Sequence, residues 1–498
     1  VSSKSSGLYA GPVVAIVLWM FADLDPDRPE TTAAAGVAAW MAIWWVTEAV
    51  PLAVTAMLPT VLFPLTGVMS GKDAAAHYFN HVILLFLGGF VVALAMQRWD
   101  LHRRIALRCL LLFGTRPRGL LLGFMVGTAF LSMWISNTAT TMMMIPIALA
   151  VVGRVEENGD SEFGKAVFLG IAFSASIGGA ATLVGTPPNL SLARIFAIQF
   201  PGAPEIDFAS WILLGLPIAG VMIPVTWLLL LRLFSRSTSE DAVASGAIRQ
   251  QVDALGKTTR EEWIVLGHFC AMALLWLTRR DLNLGSVALP GWGDALPTSG
   301  LLNDGTVAIA VAVSLFVFPT NRSDTGRLME GSEILELPWH IVLLFGGGFA
   351  LAQGFFTSGL SAWFGQQLTG LGLLPPLVLV LGICVLLSFL TELTSNTATA
   401  EMFLPILAAL AVAIQVHPLL LMVPGALSCS FAFMLPVATP PNAIVFGTDR
   451  VRASDMARAG IGLNLIGALT TTLAIYILGP FVGIQMDRFP DWAIVHSP

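Results

Sequence analysis

The chain has 498 residues, of which 56% are hydrophobic and only 11% charged, and its formal net charge is −6. Soluble domains carry roughly 25% charged residues, so an ordinary soluble surface is excluded. No basic stripe marks a nucleic-acid binder, and no nucleophile–base set or metal cluster marks an enzyme. Cys109, Cys270, Cys384 and Cys429 lie in or beside apolar runs without metal-ligand spacing, and read as buried small hydrophobes.

Taken in chain order, Val1 to Tyr9 is too short and too polar for a signal peptide. The next run reads as a first span rather than a cleaved leader. Apolar runs predict eleven spans: 8–22, 32–50, 51–66, 80–97, 166–199, 210–233, 262–278, 303–319, 339–356, 418–447 and 459–483. Two further apolar regions, 119–152 and 374–414, hold Ser-Asn-Thr near their middles. Each is too long for one straight helix in a hydrocarbon layer of roughly 30 Å. Each is either two full crossings or a hairpin that enters and leaves on one side. The hairpin is preferred, because it puts Ser-Asn-Thr at a tip near the bilayer centre. Non-helical backbone survives there only when buried in protein or lining a cavity.

With the amino terminus cytoplasmic and both long regions drawn as hairpins, the outer segments hold Arg28, Lys72, Arg279, Arg280 and Arg488. Arg194 alone falls within a span away from its ends, and the other 19 of the 25 basic residues, with Arg232 at the inner end of 210–233, are cytoplasmic. This is a positive-inside bias, and it places the carboxyl terminus outside. Full crossings at both long regions would preserve it, so it supports the topology without proving hairpins.

An internal repeat runs through the chain. Asn80-His81-Val82-Ile83-Leu84-Leu85-Phe86-Leu87-Gly88-Gly89-Phe90 matches Trp339-His340-Ile341-Val342-Leu343-Leu344-Phe345-Gly346-Gly347-Gly348-Phe349 at an offset of 259 residues. Ser136-Asn137-Thr138-Ala139-Thr140 matches Ser395-Asn396-Thr397-Ala398-Thr399 at the same offset. Thr186-Pro187-Pro188-Asn189 matches Thr439-Pro440-Pro441-Asn442. Five spans separate the two repeat-leading helices, so the halves are inverted, as in alternating-access carriers.

The repeated motifs carry the chemistry. The amides of Asn137 and Asn396 and the hydroxyls of Ser136, Thr138, Ser395 and Thr397 supply oxygens for a small hard cation. A turn frees backbone carbonyls as well, and helix starts offer N–H groups to an anion. Pro-Pro breaks a helix and exposes both kinds of group at mid-membrane. The other reading of Thr-Pro-Pro-Asn is a plain kink with Asn189 and Asn442 as caps. The other reading of Ser132 and Thr391, each four residues before a triplet, is a hydroxyl bonded back to its own helix. With Arg194 the only cation within a span away from its ends, a dianion must be met by hydrogen-bond donors, helix starts and co-bound cations. Cation and anion binding are then reciprocally linked.

Among the acids, Glu48, Glu392 and Glu401 are intramembrane candidates by default. Bracing a hairpin suits Glu392 at least as well, the plain reading of Glu401 is that it faces the rest of the bundle, and neither is assigned as a proton carrier. His81 and His340 read as a shared structural pair. Gly346, Gly347 and Gly348 lack a phosphate-loop lysine and read as a packing or bending device.

The specific marks are Trp134-Ile135-Ser136-Asn137-Thr138-Ala139-Thr140, Thr391-Glu392-Leu393-Thr394-Ser395-Asn396-Thr397 and the two Thr-Pro-Pro-Asn breaks. In these, across nearly its whole length, the chain resembles the divalent anion/sodium symporters, a family of di- and tricarboxylate transporters. The resemblance implies an all-α polytopic membrane protein with inverted repeats, eleven transmembrane helices and two re-entrant hairpins, working as an elevator-type homodimer. It implies scaffold helices over 1–79, a scaffold helix and interfacial arm over 80–118, and a first transport half over 119–209. Scaffold helices and a second arm follow over 210–373, then a second transport half over 374–458 and a final helix and external tail over 459–498. One Na+ site is implied at Ser132, Ser136, Asn137 and the backbone of Gly185. The other is implied at Thr391, Thr394, Asn396 and the backbone of Ala438, with the contact at Thr394 assigned to its backbone. Substrate is implied against Asn137, Thr138, Asn396 and Thr397, with Thr186, Pro187, Thr439 and Pro440 completing the wall. The leading expectation is sodium-coupled import of succinate, malate or fumarate across the inner (plasma) membrane. Sodium-independent exchange, sulfate carriage and an anion channel are the alternatives.

Overall fold

The computed structural model describes residues 3–114, 116–156, 161–234, 244–284, 287–323, 326–486 and 488–494. Arg236, counted above among the cytoplasmic residues, lies outside them. The amino-terminal helices are α1 (Ser3–Phe21), α2 (Pro29–Thr47), α3 (Leu52–Thr55), α4 (Leu58–Thr66) and α5 (Gly71–Ala76). The first repeat comprises α6 (His81–Arg98), α7 (Leu101–Phe113), α8 (Pro117–Ser132), α9 (Asn137–Glu156), α10 (Ser161–Ala180), α11 (Pro187–Gln199) and α12 (Phe208–Phe234). A linking section holds α13 (Ala244–Leu255), α14 (Arg260–Leu277), the antiparallel strands β1 (Leu282–Leu284) and β2 (Val287–Leu289), and α15 (Asp304–Leu315). The second repeat comprises α16 (Trp339–Thr357), α17 (Leu360–Gln367), α18 (Pro376–Thr391), α19 (Asn396–Ala413), α20 (Pro418–Ser428), α21 (Pro440–Phe446) and α22 (Ala453–Leu478). The protein is all-α apart from the short hairpin, which lies between predicted spans.

Packing repeats along with sequence. α10 packs on α8, α9 and α12, and α20 packs in the same way on α18, α19 and α22. The broken helices then cross over. α11 packs on α19 and α20 of the second half, while α21 packs on α9 and α10 of the first. Phe173 and Phe433 meet edge to face between the halves, with ring centroids 5.4 Å apart.

Among the described residues, seven helices are long and apolar enough to cross a bilayer, where the sequence predicted eleven spans. The difference lies in how the runs are cut. Pro51 caps the start of α3, and the turn at Ala56–Met57 splits 51–66 into α3 and α4. The run 418–447 is divided into α20 and α21, and the run 303–319 yields only the twelve residues of α15. Arg260, Glu261 and Glu262 charge the start of α14.

The outer surface suits lipid. Ile461, Leu465, Leu469, Leu473 and Ile477 recur every fourth residue along α22, each between 46% and 65% exposed. The opposite stripe of that helix, with Asn464, Ala468, Thr471 and Thr472, is buried. Ion pairs sort by the predicted faces. Lys4–Glu48, Arg98–Glu330, Arg104–Glu262, Lys165–Asp455 and Arg322–Glu261 join groups assigned to one side. Arg279–Asp304 and Arg280–Glu205 join groups assigned to the other. Glu48 sits in the exposed pair with Lys4, so it is no intramembrane candidate. Cys384 and Cys429 are buried as expected, but Cys270 is exposed and Cys109 partly so, because their helix faces point outward.

The glycine run of α16 brings three neighbours against bare backbone. A Cβ at Gly346 would overlap Tyr78, one at Gly347 would overlap the Ala56 carbonyl, and one at Gly348 would overlap Glu401.

Candidate functional site

Each Ser-Asn-Thr triplet lies where one arm of a helical pair ends and the next begins. α8 stops at Ser132 and α9 starts at Asn137; α18 stops at Thr391 and α19 starts at Asn396. In both pairs the arms pack on each other. The turns are held by the same device. Ser132 hydroxyl lies 2.6 Å from Asn137 Oδ1 and 2.7 Å from the Ala175 carbonyl. Thr391 hydroxyl lies 2.7 Å from Asn396 Oδ1 and 3.1 Å from the Cys429 carbonyl. Both hydroxyls are fully buried. They reach forward to the triplet and across to the neighbouring helix, so the bond back to their own helix is set aside.

The first expected cation set comes together. The carboxamide of Asn137 lies against Gly179, and Gly179 lies against Gly185, with no room for a Cβ at either glycine. Ser136 Oγ accepts from Ala139 N at 3.3 Å, which caps α9. The second set is looser. Thr394 hydroxyl is engaged with the Leu390 carbonyl at 3.0 Å and with Thr399 Oγ1 at 2.6 Å. Its hydroxyl is thus engaged within the turn itself. Ala438 is buried in the second break, and no hydrogen bond described links it to Thr391 or Asn396.

The Thr-Pro-Pro-Asn motifs open helices. Thr186 and Thr439 are extended residues preceding α11 and α21, and Pro187 and Pro440 take the first helical position, where a missing N–H costs nothing. Thr439 hydroxyl accepts from Asn442 N at 3.3 Å. The asparagines do more than cap. Asn189 Nδ2 donates to the carbonyls of Thr182 at 2.7 Å and Ala180 at 3.2 Å. Asn442 Nδ2 donates to Leu435 at 3.0 Å and Ala432 at 3.2 Å. Each amide thus ties the new helix to the unwound segment before it. Thr138 is half-buried on the first turn of α9, and Thr397 is buried on that of α19.

Buried oxygens without partners gather on these same elements. They include Thr140 Oγ1, Asn189 Oδ1, Ser174 Oγ and Ser176 Oγ in the first half. Asn442 Oδ1, Ser428 Oγ and Ser430 Oγ are their counterparts in the second. An unpaired buried oxygen is costly, and neutral oxygens in such sets suit a small hard cation. The residues present therefore fit Na+. Arg194 sits on α11 with its Nε buried and unpartnered.

Sequence reasoning missed two braces. Thr182 hydroxyl donates to the Met133 carbonyl, tying the first break to the first triplet turn. Asn464 on α22 donates to Glu392 at 2.7 Å. Glu392 itself accepts from the backbone of Phe433, Met434 and Leu435, at 2.7, 2.8 and 2.9 Å, and so is the brace that the sequence suggested. No local signal marks Asn464, which lies 72 residues from its partner.

Comparison with known proteins places this arrangement. Residues 6–484 match the family described as the sodium:sulfate symporter transmembrane region. The chain is 41% identical, over 97% of its length and 93% of the relative's, to the sodium-dependent dicarboxylate transporter SdcS of Staphylococcus saprophyticus. It is equally identical, over 97% of its length and 92% of the relative's, to SdcS of Staphylococcus aureus strain bovine RF122. Two solved structures share the fold at low identity. MtrF of Neisseria gonorrhoeae, from a class of antimetabolite efflux pumps, has a TM-score of 0.56 at 12% identity, covering 84% of both chains. The YdaH transporter of Alcanivorax borkumensis has a TM-score of 0.51 at 16% identity, covering 86% of this chain and 89% of the other. Repeat, site geometry and these matches agree: the chain is a multi-pass membrane protein belonging to a transporter family, the divalent anion/sodium symporters.

Proposed function

We propose that the protein imports C4 dicarboxylates (succinate, malate, fumarate) by sodium symport. The observation that carries this reading is the duplicated hydroxyl–carboxamide turn, Ser132 with Asn137 and Thr391 with Asn396, set among unpartnered buried oxygens. Relatives named as sodium-dependent dicarboxylate transporters support the ion and the substrate class.

In this reading one Na+ is held by Ser132, Ser136, Asn137 and the Gly185 backbone. A second is held by Thr391, Asn396 and the backbones of Thr394 and Ala438. The substrate lies between the turns, with Asn137 and Thr138 on one carboxylate and Asn396 and Thr397 on the other. Thr186, Pro187, Thr439 and Pro440 form the wall. No arginine clamp closes this site, so a dianion there draws on N–H groups at helix starts and on the bound cations. Cation binding then raises anion affinity, and the anion raises cation affinity by the same factor.

The finer architecture belongs to the same proposal. Eleven crossings and two re-entrant hairpins put 119–209 and 374–458 into a moving unit. The rest forms the scaffold of a homodimer in the inner (plasma) membrane, with the amino terminus cytoplasmic and the carboxyl terminus external. The cross-packing of α11 on α19 and of α21 on α9 supports one unit built from both halves.

Radiolabelled succinate uptake into proteoliposomes tests this, with sodium, lithium and proton gradients varied separately. A requirement for the sodium gradient is expected, with uptake lost in Asn137→Ala and Asn396→Ala while membrane insertion is kept. Sodium-indifferent uptake that needs internal dicarboxylate would make the protein an exchanger. Competition by sulfate but not malate would make it a sulfate carrier.

A further inference from the structure

Glu401 is a buried acid that neither the proposed cation and substrate sites nor the ion pairs and braces described above use. Glu401 lies on α19, five residues beyond Asn396, and is 0% exposed. Ser191 hydroxyl on α11 donates to its Oε1 at 2.5 Å. Its Oε2 has no partner and lies against the bare backbone of α16 at Gly348, where a Cβ would overlap it. The acid is therefore clamped among three helices, with α16 outside the unit that carries the Ser-Asn-Thr turns.

Among the described residues, no cation pairs with it. The elements packed on α19 carry Arg194 on α11, His340 on α16, and Arg28 and Glu30 at the head of α2. They also carry Cys384 and Glu392 on α18, and His417 and Cys429 at the ends of α20. Glu401 makes no ion pair or hydrogen bond with any of them; its single bond is to Ser191. A carboxylate without a countercharge in a dry site costs several kcal/mol. The neutral acid avoids that cost, with the proton on Oε2 and Oε1 free to accept from Ser191.

The site occurs once. The repeat position of Glu401 is Met142, which is 60% exposed, and that of Ser191 is Ile444. A group demanded by the shared fold would be expected in both halves.

We propose that Glu401 is a proton-binding site of the transport cycle. The acid takes its proton from water when α19 and α11 stand away from α16, and forms an O–H bond at Oε2. It then packs as seen here and returns the proton to water when the contact opens. Deprotonation blocks that packing, so turnover falls as pH rises. The proposal rests on the carrier reading above.

The test is initial succinate uptake from pH 6.5 to 9.5 under a fixed sodium gradient, with each variant normalised to its own value at pH 6.5. The dicarboxylate is predominantly the dianion over this range, and its residual ionisation would raise uptake with pH, so a fall belongs to the protein. Wild-type uptake should fall along an alkaline limb, by about tenfold per pH unit at its steepest. Glu401→Gln should be flat within about twofold over the same range, as a group that no longer titrates gives no factor per pH unit. Ser191→Ala, which keeps the acid and removes its one hydrogen-bond donor, should displace the limb, and it decides the matter if Glu401→Gln does not accumulate. A flat wild-type profile, a Glu401→Gln profile shaped like wild type, or an undisplaced limb in Ser191→Ala would each overturn the proposal. Sodium dependence measured in the same vesicles at pH 7 reads the carrier proposal separately.

Discussion

The two helix breaks descend from one repeat but are secured differently. The first, between Ala180 and Pro187, is short and closed. Thr182 ties it to the preceding triplet turn, Gly185 N donates to Thr182 Oγ1 at 3.1 Å, and Val184 is 8% exposed. The second, between Ser428 and Pro440, is longer and open. Val437 is 81% exposed and Leu393, at the adjoining turn, is 70% exposed. Here the brace is a carboxyl group: Glu392 gathers three backbone N–H groups and the amide of Asn464. In the first half the position of Glu392 is filled by Met133, whose carbonyl does the holding. The asparagine of Thr-Pro-Pro-Asn is common to both. A short break is satisfied by hydroxyl and carbonyl, whereas a longer unwound stretch frees more N–H groups and needs a stronger acceptor.

The largest test of this contrast is Glu392→Ala. It strips Met434 N, Leu435 N and the Asn464 amide of their acceptor at once, while Phe433 N keeps Asn464 Oδ1 at 3.2 Å. At about 1–3 kcal/mol for each donor left unpaired the loss is at least about 3 kcal/mol. Thermal unfolding in detergent should show it, and a loss smaller than that of Thr182→Val would refute the carboxyl brace. Accessibility comes next. In a background lacking the exposed Cys270 thiol, Val437→Cys should react with a membrane-impermeant maleimide at least roughly tenfold faster than Val184→Cys, because modification follows exposure. Equal rates would mean the two breaks are equally open. Smallest is Thr182→Val, which removes two neutral bonds, to the Met133 carbonyl and from Gly185 N, and should cost about 2 kcal/mol in the same unfolding assay. A cost matching Glu392→Ala would erase the distinction between the halves.

Much of this was legible before any coordinates. The 259-residue offset located both turns, and Pro-Pro located both breaks. Those signals are local, because proline acts on its own helix and a triplet in an apolar run stands out. Packing across the chain was not legible. Nothing near Asn464 announces that it serves Glu392, and nothing in Ala-Glu-Met says that Glu401 is wholly enclosed. The span count differs for a related reason. A hydropathy window averages over the turn at Ala56–Met57 and over both helix breaks, so it fuses segments that the backbone separates. The hydroxyls of Ser132 and Thr391 were flagged by position, but their reach to the carboxamides depends on the turn bending back, which only the fold supplies.

The three glycines of α16 have a mechanical consequence. Successive helical residues point about 100° apart, so Gly346, Gly347 and Gly348 leave most of the circumference smooth at one level. Helices lock when the ridges of one seat in the grooves of the other. A cylinder without ridges has nothing to seat. It meets Tyr78, Ala56 and Glu401 as a smooth sleeve, with the form of a plain bearing. Adding even one methyl to that sleeve would make it a ratchet.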